Sequence, residues 1–378
     1  ERVGGFIGYV QDLKQPTVIS FEDCVNNGNV TGSNHYVGGF VGFIQGGTNM
    51  TTIISNSINN GNVTGGSSVS GFVGLIQGDT NMTTIISNSI NNGNVTGSHK
   101  YIGGFVGCIQ DNTNIAMTIS NSTNSGIVNG SGDSVGGLVG YIDDNTNMTM
   151  TVSNVINNGF ITGTHYYVGG FVGHVLESVN MIMTVSDFIN TGNITGNDDV
   201  GGLVGQISTN MTMTISNTIN NGSVTGSGNG VGGFFGFISS NPNMTMMSTN
   251  LVNNGFITGS NNVGGLVGQI SNTNMTISSS VNNGTVNGSV YVGGFVGYVS
   301  TYPSVMPMSL DIMSSANKGS VSSKQGMACG FVCTTTQNTK LKTTIKNSIN
   351  KGSVNANTNG YACGITNNIT EARNVVSM

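Results

Sequence analysis

The sequence predicts an all-β protein: a single parallel β-solenoid (β-helix) of about eleven coils with a repeat of about 32 residues. Three observations predict it. The string Val-Gly-Gly-Phe/Leu-Val-Gly, or a close variant, begins at Val3, Val37, Val69, Ile102, Val135, Val168, Val200, Val231, Val263 and Val292, with degenerate copies at Ala328 and Ala362. Each copy contains a stretch alternating with period two, such as Met148-Thr149-Met150-Thr151-Val152-Ser153, and this is a strand signal. No sustained helical period occurs. One coil cannot bury its own apolar face, so neighbouring coils must share a core.

Each element of the repeat follows in the same order. After the Gly-Gly motif comes a polar corner, often Thr-Asn-Met-Thr, and then the alternating strand. Ile/Val-Asn-Asn-Gly, a short Val-Thr-Gly run and a small polar loop complete the copy. This grammar gives three short strands per coil, punctuated by Asn-Gly pairs and glycine clusters. Stacking at about 4.8 Å per coil makes a rod of roughly 50–60 Å. The repeat spans residues 1–378 as one domain, with regular coils over 3–326 and degenerate coils carrying Lys and Cys over 327–378.

Side-chain roles follow from offsets within the repeat. Phe40, Phe72, Phe105, Leu138, Phe171, Leu203, Phe234, Leu266 and Phe295 share one offset and are expected to stack inside. Three residues later stand Phe43, Leu75, Cys108, Tyr141, His174, Gln206, Phe237, Gln269 and Tyr298. That chemical scatter predicts an outward site. The glycines supply either a positive φ or close backbone approach at a corner. Their tenfold repetition, with no following helix or lysine, argues against a phosphate-binding loop.

Asn26, Asn59, Asn91, Asn124, Asn157, Asn190, Asn220, Asn253, Asn282, Asn317 and Asn350 form a row expected to pass amide hydrogen bonds from coil to coil. A less regular row lies three residues earlier: Asp23, Asn56, Asn88, Asn121, Asn154, Asp187, Asn217, Asn250 and Asn347. Asn121 is expected to be buried there. Ligand binding is the alternative for both rows; a structural ladder is favoured because buried polar groups need partners.

Composition narrows the function. Only 7% of the 378 residues are charged and the net charge is −5, so no broad basic surface exists to neutralise nucleic-acid phosphates. No apolar run is long enough for a transmembrane helix. Glycine lacks the every-third-residue period of collagen, and 36% apolar content argues against disorder. His35, His99, His165 and His174 have no ligand spacing, so no metal site is expected. Asp143-Asp144 and Asp198-Asp199 are read as solvated turns in preference to calcium ligands. The 15 acidic residues are scattered, so no paired catalytic carboxylates, no enzyme activity and no cofactor are expected.

The pattern resembles the GLUG-type repeat. The clearest matches are Gly201-Gly202-Leu203-Val204-Gly205, Ile215-Ser216-Asn217 and Gly222-Ser223-Val224-Thr225-Gly226. The likeness runs from Val3 to about Gly288 and fades beyond Gly326. The resemblance implies an extracellular or cell-surface repeat protein, such as an adhesin or stalk region, with no catalytic residues in the repeat.

Sequons point the same way. Asn49, Asn81, Asn147, Asn210, Asn243 and Asn274 begin Asn-Met-Thr and are expected to form one corner row carrying covalent N-glycans. The matching Asn114 and Asn180 lack the hydroxyl residue and are expected to be bare. Cys329 and Cys363 share an offset in neighbouring coils and are expected to form a disulfide in an oxidising compartment. Cys24 and Cys108 are expected to be free or buried, and Cys333 to be a competitor for a partner.

The expected function is a structural extracellular β-solenoid, a glycosylated filament, stalk or surface coat. Its expected partners are further copies joined head to tail, and glycans or a cell surface. Both ends look uncapped, and basic residues from Lys318 to Arg373 oppose acidic ones from Glu1 to Asp23. Two alternatives stand beside it. One is an adhesin repeat binding host or glycan surfaces. The other is an ice-binding solenoid using Thr-x-Thr pairs such as Thr149/Thr151 and Thr212/Thr214.

Overall fold

The computed structural model describes all residues except 1, 12–15, 79, 240–243, 301–307, 334–340, 358–359, 367–370, 374 and 378. It is a parallel β-solenoid of about ten turns with a spacing of about 33 residues. No helix occurs among the described residues, and so none is long and apolar enough to cross a membrane.

Each coil has four faces where the sequence suggested three. One coil shows the order: Tyr166–Gly169, Val172–Leu176, Met181–Asn190 and Ile194–Gly196. Every strand pairs in parallel with its counterpart in the next coil. The first face runs from Val3–Gly4 to Ala362–Cys363 and the fourth from Val30–Thr31 to Val354–Ala356. The Asn-Gly corner divides what the sequence suggests is one turn, and the short Val-Thr-Gly run becomes a wall of its own.

Period two decides which way residues point on the long third face. Met148, Met150 and Val152 are buried, whereas Thr149 is exposed and Thr151 and Ser153 are half-buried. The main core is a column of Phe40, Phe72, Phe105, Leu138, Phe171 and their successors, all fully buried. Phe40 and Phe72 rings stand 4.9 Å apart, in ordinary aromatic contact. A second core of Val and Ile lies between the first and fourth faces, including Val37, Val63, Val69 and Val95.

The Gly-Gly motif is required for closeness. A Cβ on Gly137 would lie 2.1 Å from the Gly170 carbonyl oxygen and 2.9 Å from the Asn157 side chain. The left-handed region is occupied instead mainly by Asn, Asp, Ser and Tyr, residues of which Asn and Asp tolerate it best. This explains the less regular row. Asp23, Asn56, Asn88, Asn121, Asn154, Asp187, Asn217, Asn250 and Asn347 all have φ between 48° and 55°. They turn the chain between two segments of the third face, and exposed side-chain pairs such as Asn154 to Asn121, at 2.9 Å, join some of them. Asn121 is exposed, contrary to expectation, because an αL corner directs its side chain outward.

Candidate functional site

The dominant polar feature is internal. From Asn26 to Asn350, each ladder Nδ2 donates to the Oδ1 of the next coil's asparagine, at 2.7–2.9 Å, through ten unbroken bonds. From Asn59 onward the same nitrogen also donates to the glycine carbonyl two residues on, as Asn157 does to Gly159 at 3.1 Å. All eleven asparagines are buried. The second glycine of Gly-Gly packs against this ladder. The row's chemistry is therefore consumed by structure, leaving no ligand site along it.

The row expected to point outward is covered over its first six members. Phe43, Leu75, Cys108, Tyr141, His174 and Gln206 are buried, whereas Phe237, Gln269 and Tyr298 are half-buried. The residues before each Val-Gly-Gly fold over them. Tyr36 contacts Phe43 at 4.8 Å, Tyr101 stacks on Tyr141 at 4.3 Å, and Tyr167 packs on His174 at 4.1 Å between ring centroids. Tyr36, Tyr101 and Tyr167 have φ from 62° to 69°, a backbone bend that lays the ring back over the lateral column, on its own coil for Tyr36 and Tyr167 and on the next for Tyr101. Sequence reading missed this cover because the covering residues alternate between Tyr and Ser and carry no obvious apolar pattern.

Burial in this lateral column shifts its titrations. Desolvation lowers the His174 imidazole to about 3 and, with the neighbouring Asp198 charge, raises the Asp199 carboxyl to about 8. Cys108 is pushed well above the usual thiol range by burial, with Asp143 and Asp111 adding to it. The column is thus held neutral rather than poised for acid–base chemistry. No group of three or more His, Cys, Asp or Glu side chains gathers among the described residues in a way that could hold a metal ion.

The corner sequons divide. Asn49, Asn81 and Asn147 are exposed and share the left-handed corner with Asn114 and Asn180, at φ 54–57°. Their amides stack, Asn81 donating to Asn49 at 3.1 Å and Asn147 to Asn114 at 2.9 Å. Asn210 is half-buried and lies outside this left-handed set. Asn274 is not in the row. It pairs with Thr245 on the third face, two residues past the corner, because the preceding loop is shorter. Its Oδ1 accepts from the Ser309 amide at 2.8 Å. Asn243 lies outside the described residues.

Cys329 and Cys363 are stacked partners on the first face and form a disulfide, with Cα atoms 4.7 Å apart. Cys24, Cys108 and Cys333 are free thiols. On the third face, Thr118, Thr151, Thr184 and Thr214 form an unbroken column over four coils. The neighbouring column of Thr149, Thr212 and Thr245 is interrupted by Ile182 and preceded by Ala116. Compared with known proteins, the chain matches no family model, no curated protein and no solved structure. The GLUG-like motif therefore stands on its residues alone.

Proposed function

We propose that this chain is a rigid, sugar-coated spacer of GLUG-repeat character, part of an extracellular stalk, filament or surface coat. The observation that carries the reading is the exposed αL corner that presents Asn49, Asn81 and Asn147, each opening a sequon, on a rod with only 7% charged residues. A surface so poor in charge needs another source of solubility, and glycans supply it. The amide stack is compatible with modification. Linking a sugar replaces one hydrogen of Nδ2, and the other still donates to the asparagine below.

Asn49 and Asn81 sit on adjacent coils, about 4.8 Å apart. Two branched glycans crowd at that distance, so one of the pair is expected to be filled and the other substoichiometric. Charge also changes along the rod. The early coil carries Glu22 and Asp23, and the late coils carry Lys318, Lys324, Lys342, Lys346 and Lys351. In this reading that polarity orients successive rods head to tail.

Glycopeptide mapping of natively sourced protein tests the proposal. Sugar is expected on Asn147 and on at least one of Asn49 and Asn81, with Asn114 and Asn180 bare. An unmodified corner row would overturn it. Negative-stain imaging of the same material is expected to show thin rods or fibres.

A further inference from the structure

The corner row ends in a notch. Between Leu176 and Met181 lie four residues, Glu177 to Asn180. Between their stacked counterparts Ser208 and Met211 lie only two, Thr209 and Asn210. The shorter loop retracts, held by a 2.6 Å hydrogen bond from Thr209 Oγ1 to the Ser178 carbonyl. The result is a cleft of about 720 Å³ at the rod's edge, within the size range of small-molecule sites.

What the cleft offers follows from the rungs below it. In each earlier corner the asparagine backbone N–H donates upward, as Asn147 does to the Val179 carbonyl at 2.8 Å. Each Oδ1 faces the same way and accepts from the next amide, as Asn147 accepts from Asn180 at 3.0 Å. At Asn180 the series stops. Its N–H and its Oδ1 meet no further rung among the described residues, and Asn180 lines the cleft. Asn210 Oδ1, on the cleft lining, is buried and without a partner. Beside these polar atoms stand Val179 and Ile182, about half exposed at 55% and 50%, and the buried Met211.

One donor and two acceptors next to an apolar wall complement a single secondary amide bearing a methyl group. We propose that this notch binds the acetamido group of an N-acetylhexosamine. The acetamido carbonyl accepts from the Asn180 N–H. Its N–H donates to Asn210 Oδ1, and its methyl packs on Val179, Ile182 and Met211. The Thr212 hydroxyl and the Glu177 carboxylate are left at the rim for sugar hydroxyls. A peptide strand is disfavoured, because each corner contributes one isolated bridge and so offers pairing for one amide, not for a run of them. The site needs no glycan on the protein itself.

Ligand-observed NMR on the full chain tests this with three probes: N,N′-diacetylchitobiose, cellobiose, and N-acetyl-asparagine methylamide. The acetylated sugar is expected to bind at millimolar concentration with saturation strongest on its acetamido methyls. Cellobiose, which lacks them, is expected to give no signal. Asn210→Leu is expected to weaken binding about tenfold, the effect of one lost buried hydrogen bond. Inserting Thr-Asn after Thr209 restores the missing rung, fills the notch and is expected to abolish binding while leaving the circular dichroism spectrum unchanged. Equal binding of cellobiose, tighter binding of the peptide amide, no binding of the acetylated sugar, or binding that survives the insertion would each overturn the assignment.

Discussion

Replacing Asn157 by alanine tests whether the internal ladder holds the rod together. Asn157 donates to Asn190 Oδ1 at 2.8 Å and to the Gly159 carbonyl at 3.1 Å, and accepts from Asn124 Nδ2 at 2.9 Å. Alanine removes all three bonds and leaves Asn190 Oδ1 and the Gly159 carbonyl as buried acceptors without this donor. At about 1–3 kcal/mol per orphaned group the loss is about 2–6 kcal/mol. Asn154→Ala is the control, because Asn154 is exposed, its one side-chain bond, to Asn121 at 2.9 Å, lies at the surface, and its φ of 53° suits asparagine better than alanine. It should cost about 1–2 kcal/mol, and Asn154→Gly less. Asn157→Asp separates hydrogen bonding from shape. An ionised carboxylate cannot donate to Asn190, whereas the protonated acid can. Burial raises its folded-state pKa above the ordinary carboxyl range, so its stability is full below that range and is lost as pH rises through the folded pKa. Urea unfolding of the four variants at two pH values reads these effects. A loss below about 1 kcal/mol for Asn157→Ala, or no pH dependence for Asn157→Asp beyond that of the parent, would refute the ladder's role.

Four further outcomes follow from the same geometry. Gly137→Ala places a Cβ 2.1 Å from the Gly170 carbonyl oxygen, so it should abolish soluble folded protein or lower Tm by more than any ladder variant. His174 is lowered to about 3 by burial, so its contribution is present above the ordinary histidine range and is lost as pH falls from about 6.5 toward 3; His174→Phe should flatten that limb of a Tm-versus-pH curve. Asp199 is raised to about 8, so stability is lost as pH rises from about 4 through 8, and Asp199→Asn should remove that slope. Breaking the Cys329–Cys363 bond, which closes a 34-residue separation, should cost about 3–4 kcal/mol locally, read as lost hydrogen-exchange protection in the last coils on adding reductant.

The sequence made the stack legible because a solenoid repeats every local decision. Phe40 and its successors mark the inside, and the Asn26-to-Asn350 ladder is visible as a row before any coordinate is known. What it hid depends on small changes of register and on backbone sign. Two residues fewer before Met211 displace Asn210, and a further shortening moves Asn274 off the corner and into the third-face strand, yet both keep the Asn-Met-Thr string. Tyr36, Tyr101 and Tyr167 cover the lateral column only because φ is positive there, and aromatic residues give no sequence sign of that conformation. Asn121 shows the same limit. It looks like a ladder residue by offset, but asparagine serves two purposes in each coil: an interior amide link and an αL corner. Only the backbone separates them.

That double use of asparagine explains how a rod with so little charge can still specify one register. A parallel coil slipped by one residue would turn the whole inward set outward, and apolar columns of interchangeable Val, Ile, Leu and Met resist a slip of two residues, which keeps the inward face, only weakly. The ladder resists it strongly, because a carboxamide both donates and accepts and each one requires another at the same depth. Coils then vary in length at the corners, from 29 to 35 residues between successive ladder asparagines, without losing alignment. Variation collects where the ladder does not reach. The longest stacked corner series, Asn49 to Asn180, presents the sequons, and its abrupt end at the two-residue deletion opens the notch. Structure is thus carried by what repeats without exception, and any recognition must come from where the repeat is broken.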